Sequence, residues 1–233
     1  MLILNKNILT IGGNRLEGES LTPPTPPGPG PLPPIPANTV RVRTNDGNVP
    51  YKSGNTEYET ATLVTGTTDI YDVYKSGEYL DGLLNDSTNV MEVIGANTTG
   101  ITRMGGTFRN CTALTTVALF DTSSVTRMGN MFYGCSSLTS IPLFNTSNVT
   151  IMLSMFQNCS SLTSIPLFDT SKATRFNNTF NGCINVQSGA LALYQQLSSQ
   201  AKPPSEHDRT FYNCGSNTTT GAAELAQIPS DWK

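Results

Sequence analysis

The sequence predicts a solenoid, α/β or mainly β, of short parallel strands with helical turns, preceded by a small β cap and an extended proline-rich N-terminal arm. Three observations predict it. Cys111, Cys135, Cys159 and Cys183 fall 24 residues apart, and Phe108, Phe132, Phe156 and Phe180 each stand three residues before them. Apolar residues recur in the same columns around them: Ile101, Val125, Val149 and Ala173; Met104, Met128, Met152 and Phe176; Leu114, Leu138, Leu162 and Val186. A separate stretch, residues 23–36, holds nine of the fifteen prolines. A fixed period between about 20 and 50 residues marks an array whose units cannot bury their apolar faces alone and so stack on one another.

From the N-terminus, residues 1–22 read as an anchoring peptide. Leu2, Ile3, Leu4, Ile8, Leu9 and Ile11 supply its apolar positions. They are expected to dock by adding to another protein's sheet or groove, with a frayed terminus as the alternative. A charged leader, a long apolar core and a small-residue cleavage site are not seen, so no secretion signal is expected. The apolar run is also far short of the ~18 residues of a membrane span. Residues 23–37 follow as a polyproline-II linker, rising ~3.1 Å per residue. Residues 38–83 carry strand signals in Thr39–Arg43, a turn at Asn45-Asp46-Gly47, and two further alternating runs. About 45 residues is marginal for an independent core, so this region is expected to cap the array.

Residues 84–189 are the repeat. Leu138, Ile141 and Leu143 give the L-x-x-I-x-L spacing of a leucine-rich repeat, in which a short strand points alternate side chains inward. Val93, Val117, Ile141 and Ile165, with Leu119, Leu143 and Leu167 beside them, are therefore expected in the core. Val125 to Cys135 has helix-like apolar spacing but is too short for a stable helix, which suggests a helical turn on the opposite wall. Leu84, Ser87, Val90 and Val93 fit the Phe, Cys, Leu and Ile columns one period early. Downstream the cysteine spacing widens to 31 at Cys214. Residues 190–233 then read as a helical cap with a displaced last repeat, its helices near Ala190–Gln200 and Gly221–Gln227.

The block M-F-x-x-C-x-x-L-T-S-I-P-L-F-D-T-S-x-V-T, recurring with unchanged spacing, resembles the BspA-like leucine-rich repeat of bacterial surface proteins. That resemblance implies a non-catalytic solenoid used for attachment, with no catalytic residues to carry over. The layout also resembles proteins of phages infecting gut Bacteroides-type bacteria, through T-V-R-V-R-T-x-D-G at Thr39, the Ile94 junction and the end from Ala223. This implies location more than mechanism.

Composition narrows the partners. Fourteen Lys and Arg stand against 17 Asp and Glu, a formal charge of −3, with no basic cluster. No nucleic-acid partner is expected. A single thiol per repeat lacks the paired ligands of a zinc site, so the cysteines are expected as a buried column, with neither metal nor disulfide required. His207, between Glu206 and Asp208 in a polar loop after two prolines, has no nucleophile placed beside it and reads as loop surface. Asn-x-Ser/Thr triplets at Asn97, Asn145, Asn148 and Asn217 follow from composition as readily as from glycosylation. No catalytic residue, metal or cofactor is expected.

Two polar columns are candidates for ligand binding. Arg103, Arg127 and Arg175 share one register, interrupted by Ile151, and suit an anion or carboxylate stripe. Against that, Asn97, Asp121, Asn145 and Asp169 stand nearby, where their short side chains would satisfy turn amides and Asp121 and Asp169 would pair with the arginines. Arg109, Tyr133, Gln157 and Asn181 form a second, varying column, as solvent-facing positions do.

The expected function is a non-enzymatic structural and adhesion protein on a bacteriophage virion surface, a capsid decoration, head fibre or tail component made in the host bacterial cytoplasm. Its N-terminal arm would hold other virion proteins, and its repeat would bind a host-surface or mucosal glycan or protein. Neither nucleic acid nor membrane is an expected partner, and homo-oligomerisation stays open. The alternative is a bacterial cell-surface leucine-rich-repeat adhesin or lipoprotein with an atypical export signal.

Overall fold

The computed structural model describes residues 10–11, 14–15, 31–50 and 60–233. The chain divides into two compact units, Met1–Leu32 and Pro33–Lys233. In the first, β1 (Thr10–Ile11) pairs antiparallel with β2 (Asn14–Arg15), Thr10 opposite Arg15 and Ile11 opposite Asn14. Of the expected docking residues, Ile11 lies in β1, while Leu2, Ile3, Leu4, Ile8 and Leu9 lie outside the described residues, as does most of the expected proline linker.

The second unit is organised by one mixed sheet of β3 (Thr39–Thr44), β4 (Thr60–Leu63), β5 (Ile70–Tyr74), β6 (Val90–Asn97) and β7 (Thr116–Val117), in the order β4-β5-β3-β6-β7. All pairs are antiparallel except β6 with β7. The alternation of TVRVRT suits a strand with partners on both sides, and β3 takes the centre with Val40 and Val42 fully buried. Its Arg41 is buried too. That placement is tolerable because the guanidinium is paired and hydrogen-bonded throughout: Nε and Nη2 donate to the two oxygens of Asp72 at 2.6 and 2.7 Å. Arg41 Nη1 also donates to the carbonyl of Pro33 at 2.6 Å, and Asn97 Nδ2 donates to that of Ile35 at 3.0 Å. The last residues of the proline-rich stretch are thus bonded to the sheet instead of standing free as spacer. Asp46 Oδ1 accepts from the Asn48 amide at 3.1 Å and Gly47 has φ 68°, which make the turn after β3.

The expectation of a leucine-rich-repeat solenoid is corrected here. Among the described residues of the second unit, regular structure is this five-stranded mixed sheet with two short α-helices, α1 (Ala190–Ser198) and α2 (Thr219–Gln227), and a 3-10 turn at Ser230–Trp232. Of the strands expected in the Val93, Val117, Ile141 and Ile165 column, only the first two form, β6 at Val93 and the two-residue β7 at Val117. The reason lies in one column: Ala118 donates its amide to the carbonyl of Val93 at 2.8 Å, whereas the matching positions are Pro142 and Pro166, which have no N–H to give. Only isolated parallel bridges continue beyond it, such as Ser164 with Ser188. The expected helical turns are also corrected. Left-handed residues recur every fourth position in that stretch, at Gly106 and Asn110, Asn130 and Gly134, Ser154 and Asn158, and Asn178 and Gly182. A positive φ every four residues rules out a helix and leaves successive tight turns.

The turns bond from one unit to the next. Phe108 donates its amide to the carbonyl of Met131, Phe132 to Met155 and Phe156 to Thr179, each at 2.9 Å. Inside, the Phe column stacks, with ring centroids 5.2 Å apart for Phe108 and Phe132, 5.5 Å for Phe132 and Phe156, and 5.3 Å for Phe156 and Phe180. Cys111, Cys135, Cys159 and Cys183 are buried and unbridged beside it. Leu84, Ser87, Val90 and Val93 are buried as well, as their columns require. A second correction concerns Leu119, Leu143 and Leu167: expected in the core, they are 64%, 58% and 53% exposed. In each unit the next residue, Phe120, Phe144 or Phe168, goes inward instead, and the leucine before it points out, whether Ala118 or a proline stands ahead of it.

At the C-terminal end α1 buries Ala190, Leu193 and Leu197. Phe211 continues the stack at 6.1 Å from Phe180, and Trp232 is buried beside it. The Thr218 side chain caps α2 by accepting from the Gly221 amide.

Candidate functional site

An open groove of about 370 Å³ lies where the repeat begins. Four successive units contribute to it. Asp81, Gly82 and Asn85 come from the first, Arg103, Gly105, Gly106 and Arg109 from the second, Arg127, Gly129 and Asn130 from the third, and Ile151 from the fourth. Four glycines leave much of the floor as bare backbone. A Cβ on Gly105 would stand 3.0 Å from Asp81 Oδ1, so a larger residue there would push the Asp81 carboxylate aside. Asp81 Oδ1 accepts from the Gly105 amide at 2.5 Å.

The arginine register is real in space: isolated parallel bridges run Tyr79, Arg103, Arg127, Ile151, Arg175, Glu206. Its members differ in the charges that surround them. Arg103 Nη2 sits 2.6 Å from Asp81 Oδ2, and its guanidinium lies over the Tyr79 ring at 4.7 Å. At the far end Arg175 Nε donates to Glu206 Oε2 at 2.9 Å. Between them Arg127 is exposed, and among the described residues no carboxylate pairs with it. The second column meets the first in the same groove: Arg109 is exposed and lies over the Tyr133 ring at 5.2 Å. Gln157, next in that column, is half-buried and does not line the groove. Arg175 also lies outside it.

The acidic and amide column does what short polar side chains do in turns. Asp121 Oδ1 accepts from the Ser123 amide at 2.9 Å, Asn145 from Ser147 at 3.2 Å and Asp169 from Ser171 at 2.9 Å. The Ser123 and Ser171 amides hold the carboxyls of Asp121 and Asp169 below their ordinary values. Neither pairs with an arginine of the stripe. Those partners are Asp81 and Glu206, which sequence reasoning missed. Asp81 stands 24 residues before Gly105 and 22 before Arg103, so the pairing crosses between units and leaves no signal within one.

The cysteines have a role beyond packing. Each Sγ donates to a carbonyl of the preceding unit: Cys111 to Leu84, Cys135 to Phe108, Cys159 to Phe132 and Cys183 to Phe156, at 3.0–3.1 Å. Burial pushes the thiols of Cys135, Cys159 and Cys183 up, that of Cys183 to about 12. A thiol held protonated is neither a nucleophile nor a metal ligand. Among the described residues no cluster of three His, Cys, Asp or Glu side chains is placed to hold a metal ion. His207 stacks on Trp232, centroids 4.1 Å apart, as part of the C-terminal packing. No helix among the described residues is long and apolar enough to cross a membrane.

No curated protein and no solved structure matches this chain. Residues 80–192, just under half of the chain, match a family described as Mycoplasma protein of unknown function, DUF285.

Proposed function

We propose that this is a non-catalytic attachment protein, displayed on a bacteriophage virion surface, whose 24-residue units present a ligand-binding face to a glycan or protein of the host surface or mucus. The observation that carries the binding part is the groove in which Arg109 and Arg127 stand exposed and without carboxylate partners among the described residues. Unpaired guanidinium groups in a concavity are poised for an external acceptor. The display part rests on the layout, an apolar N-terminal segment followed by a proline-rich stretch and then the repeat. The matched family is related to BspA-like repeat proteins, which supports attachment as the theme.

A second reading is a bacterial cell-surface adhesin, favoured by the bacterial origin in the family's description. Mass spectrometry of purified phage particles against surface-shaved host cells separates the two. The chain is expected among virion peptides, and its recovery only from the cell surface would replace the first reading by the second. For binding, the full chain is expected to retain on a mucin or host-glycan array, and a blank array would leave a purely structural decoration.

A further inference from the structure

Resting on the attachment reading, we propose that the groove between Asp81 and Ile151 is a subsite for a carboxylated saccharide, with Arg127 and Arg109 holding its carboxylate. Charge selects the anion. The arginine register is neutralised at both ends, by Asp81 at Arg103 and by Glu206 at Arg175, and Ile151 supplies no acid in the middle. Arg127 is therefore the one member of that register, among the described residues, whose fork remains open, and Arg109 joins it from the neighbouring column. A protein of formal charge −3 concentrates two unopposed positive charges here.

Polar side chains beside the arginines suit a polyol. The side-chain amides of Asn85 and Asn130 line the same groove, so hydroxyls would find both donors and acceptors there, whereas a simple anion would use the guanidinium groups alone. The bare glycine floor admits a flat ring against backbone, and about 370 Å³ is the size of a small-ligand site. Tyr79 and Tyr133 lie under Arg103 and Arg109 and hold those guanidinium planes in place.

The test is titration calorimetry of the full chain at low salt with sialyllactose, lactose, a sulfated disaccharide and a short polyglutamate. Sialyllactose is expected to bind, lactose at least tenfold more weakly. Arg127→Gln and Arg109→Gln should each weaken sialyllactose at least tenfold, and Arg209→Gln, outside the groove, should leave it unchanged. Both groove positions are exposed, so the variants should fold, which their thermal melts check. Equal or tighter binding of the sulfated sugar or of polyglutamate would overturn the carboxylated saccharide. Mucin retention that survives the Arg109→Gln, Arg127→Gln double variant would overturn the groove while leaving the attachment reading intact. Failure of the wild-type chain to retain on mucin or any host glycan would sink both.

Discussion

The cysteine column shows how one residue type can serve packing and hydrogen bonding together. A backbone carbonyl facing the interior needs a donor, and the small, weakly polar thiol supplies one without the desolvation cost of a hydroxyl. Because folding holds the thiols of Cys135, Cys159, Cys183 and Cys214 protonated beyond the ordinary range near 8.5, the folded state binds more protons than the unfolded chain at alkaline pH. The contribution is therefore complete below about pH 8.5 and declines above it, for Cys183 until about pH 12. Urea midpoints should fall between pH 8 and pH 10.5, and the fall should shrink in Cys183→Ala. All five thiols should stay unreactive towards an aromatic disulfide reagent until unfolding. At the same scale, two leucines five residues apart make opposite predictions. Leu138 is fully buried, so Leu138→Ala should cost about 2–5 kcal/mol. Leu143 is 58% exposed, and Leu143→Ala should stay within about 0.5 kcal/mol in the same denaturation assay.

Among the elements, β7 is the informative one because it ends where its column changes. Ala118 completes a parallel bond to Val93, and proline at the equivalent places prevents the strand from being repeated. Pro142→Ala restores the missing donor opposite Val117. Hydrogen exchange should then find the new amide at position 142 protected, and a fast-exchanging amide there would place the obstacle outside the proline. The same prolines blunt the edge of the five-stranded sheet, since a chain without free N–H groups is a poor template for further pairing. The C-terminal helices depend on close approach: a side chain on Gly189, at φ 99°, would collide with the carbonyl oxygen of Ile165, so the entry to α1 is open only to glycine.

For the molecule as a whole, the Arg41–Asp72 pair joins the two central strands and the chain leading into them. Arg41 is 3% and Asp72 17% exposed at the side chain. Asp72→Asn would keep the shape but leave a buried guanidinium without its counter-charge, and should cost about 3–5 kcal/mol. Calorimetry should show that loss as a lowered Tm, and Arg41→Met with Asp72→Leu should recover much of it. A double variant as unstable as the single would mean that the bond to Pro33 matters more than the charge. Around this sheet, burial is continuous from Val40 to Trp232, which makes the second unit one cooperative core.

The 24-residue period and the buried Phe, Cys, Met and first Leu columns were legible in the amino-acid order, because periodic burial writes itself into composition at fixed offsets. So were the central alternation of β3, the two C-terminal helical stretches and the shared register of Arg103, Arg127 and Arg175. Three things were not. The solenoid of repeated strands was expected and the five-stranded sheet found, since Pro142 and Pro166 cancel a hydrogen bond that apolar spacing alone cannot see. The Leu119, Leu143 and Leu167 column kept an apolar identity on an exposed face. And the difference between Arg127, open, and Arg103 and Arg175, paired, rests on Asp81 and Glu206, which reach their partners from other units. Spacing along the chain determines which residues share a column; only the folded backbone decides which way a column faces and which charge stands across from it, because both depend on contacts between residues 22 or more positions apart.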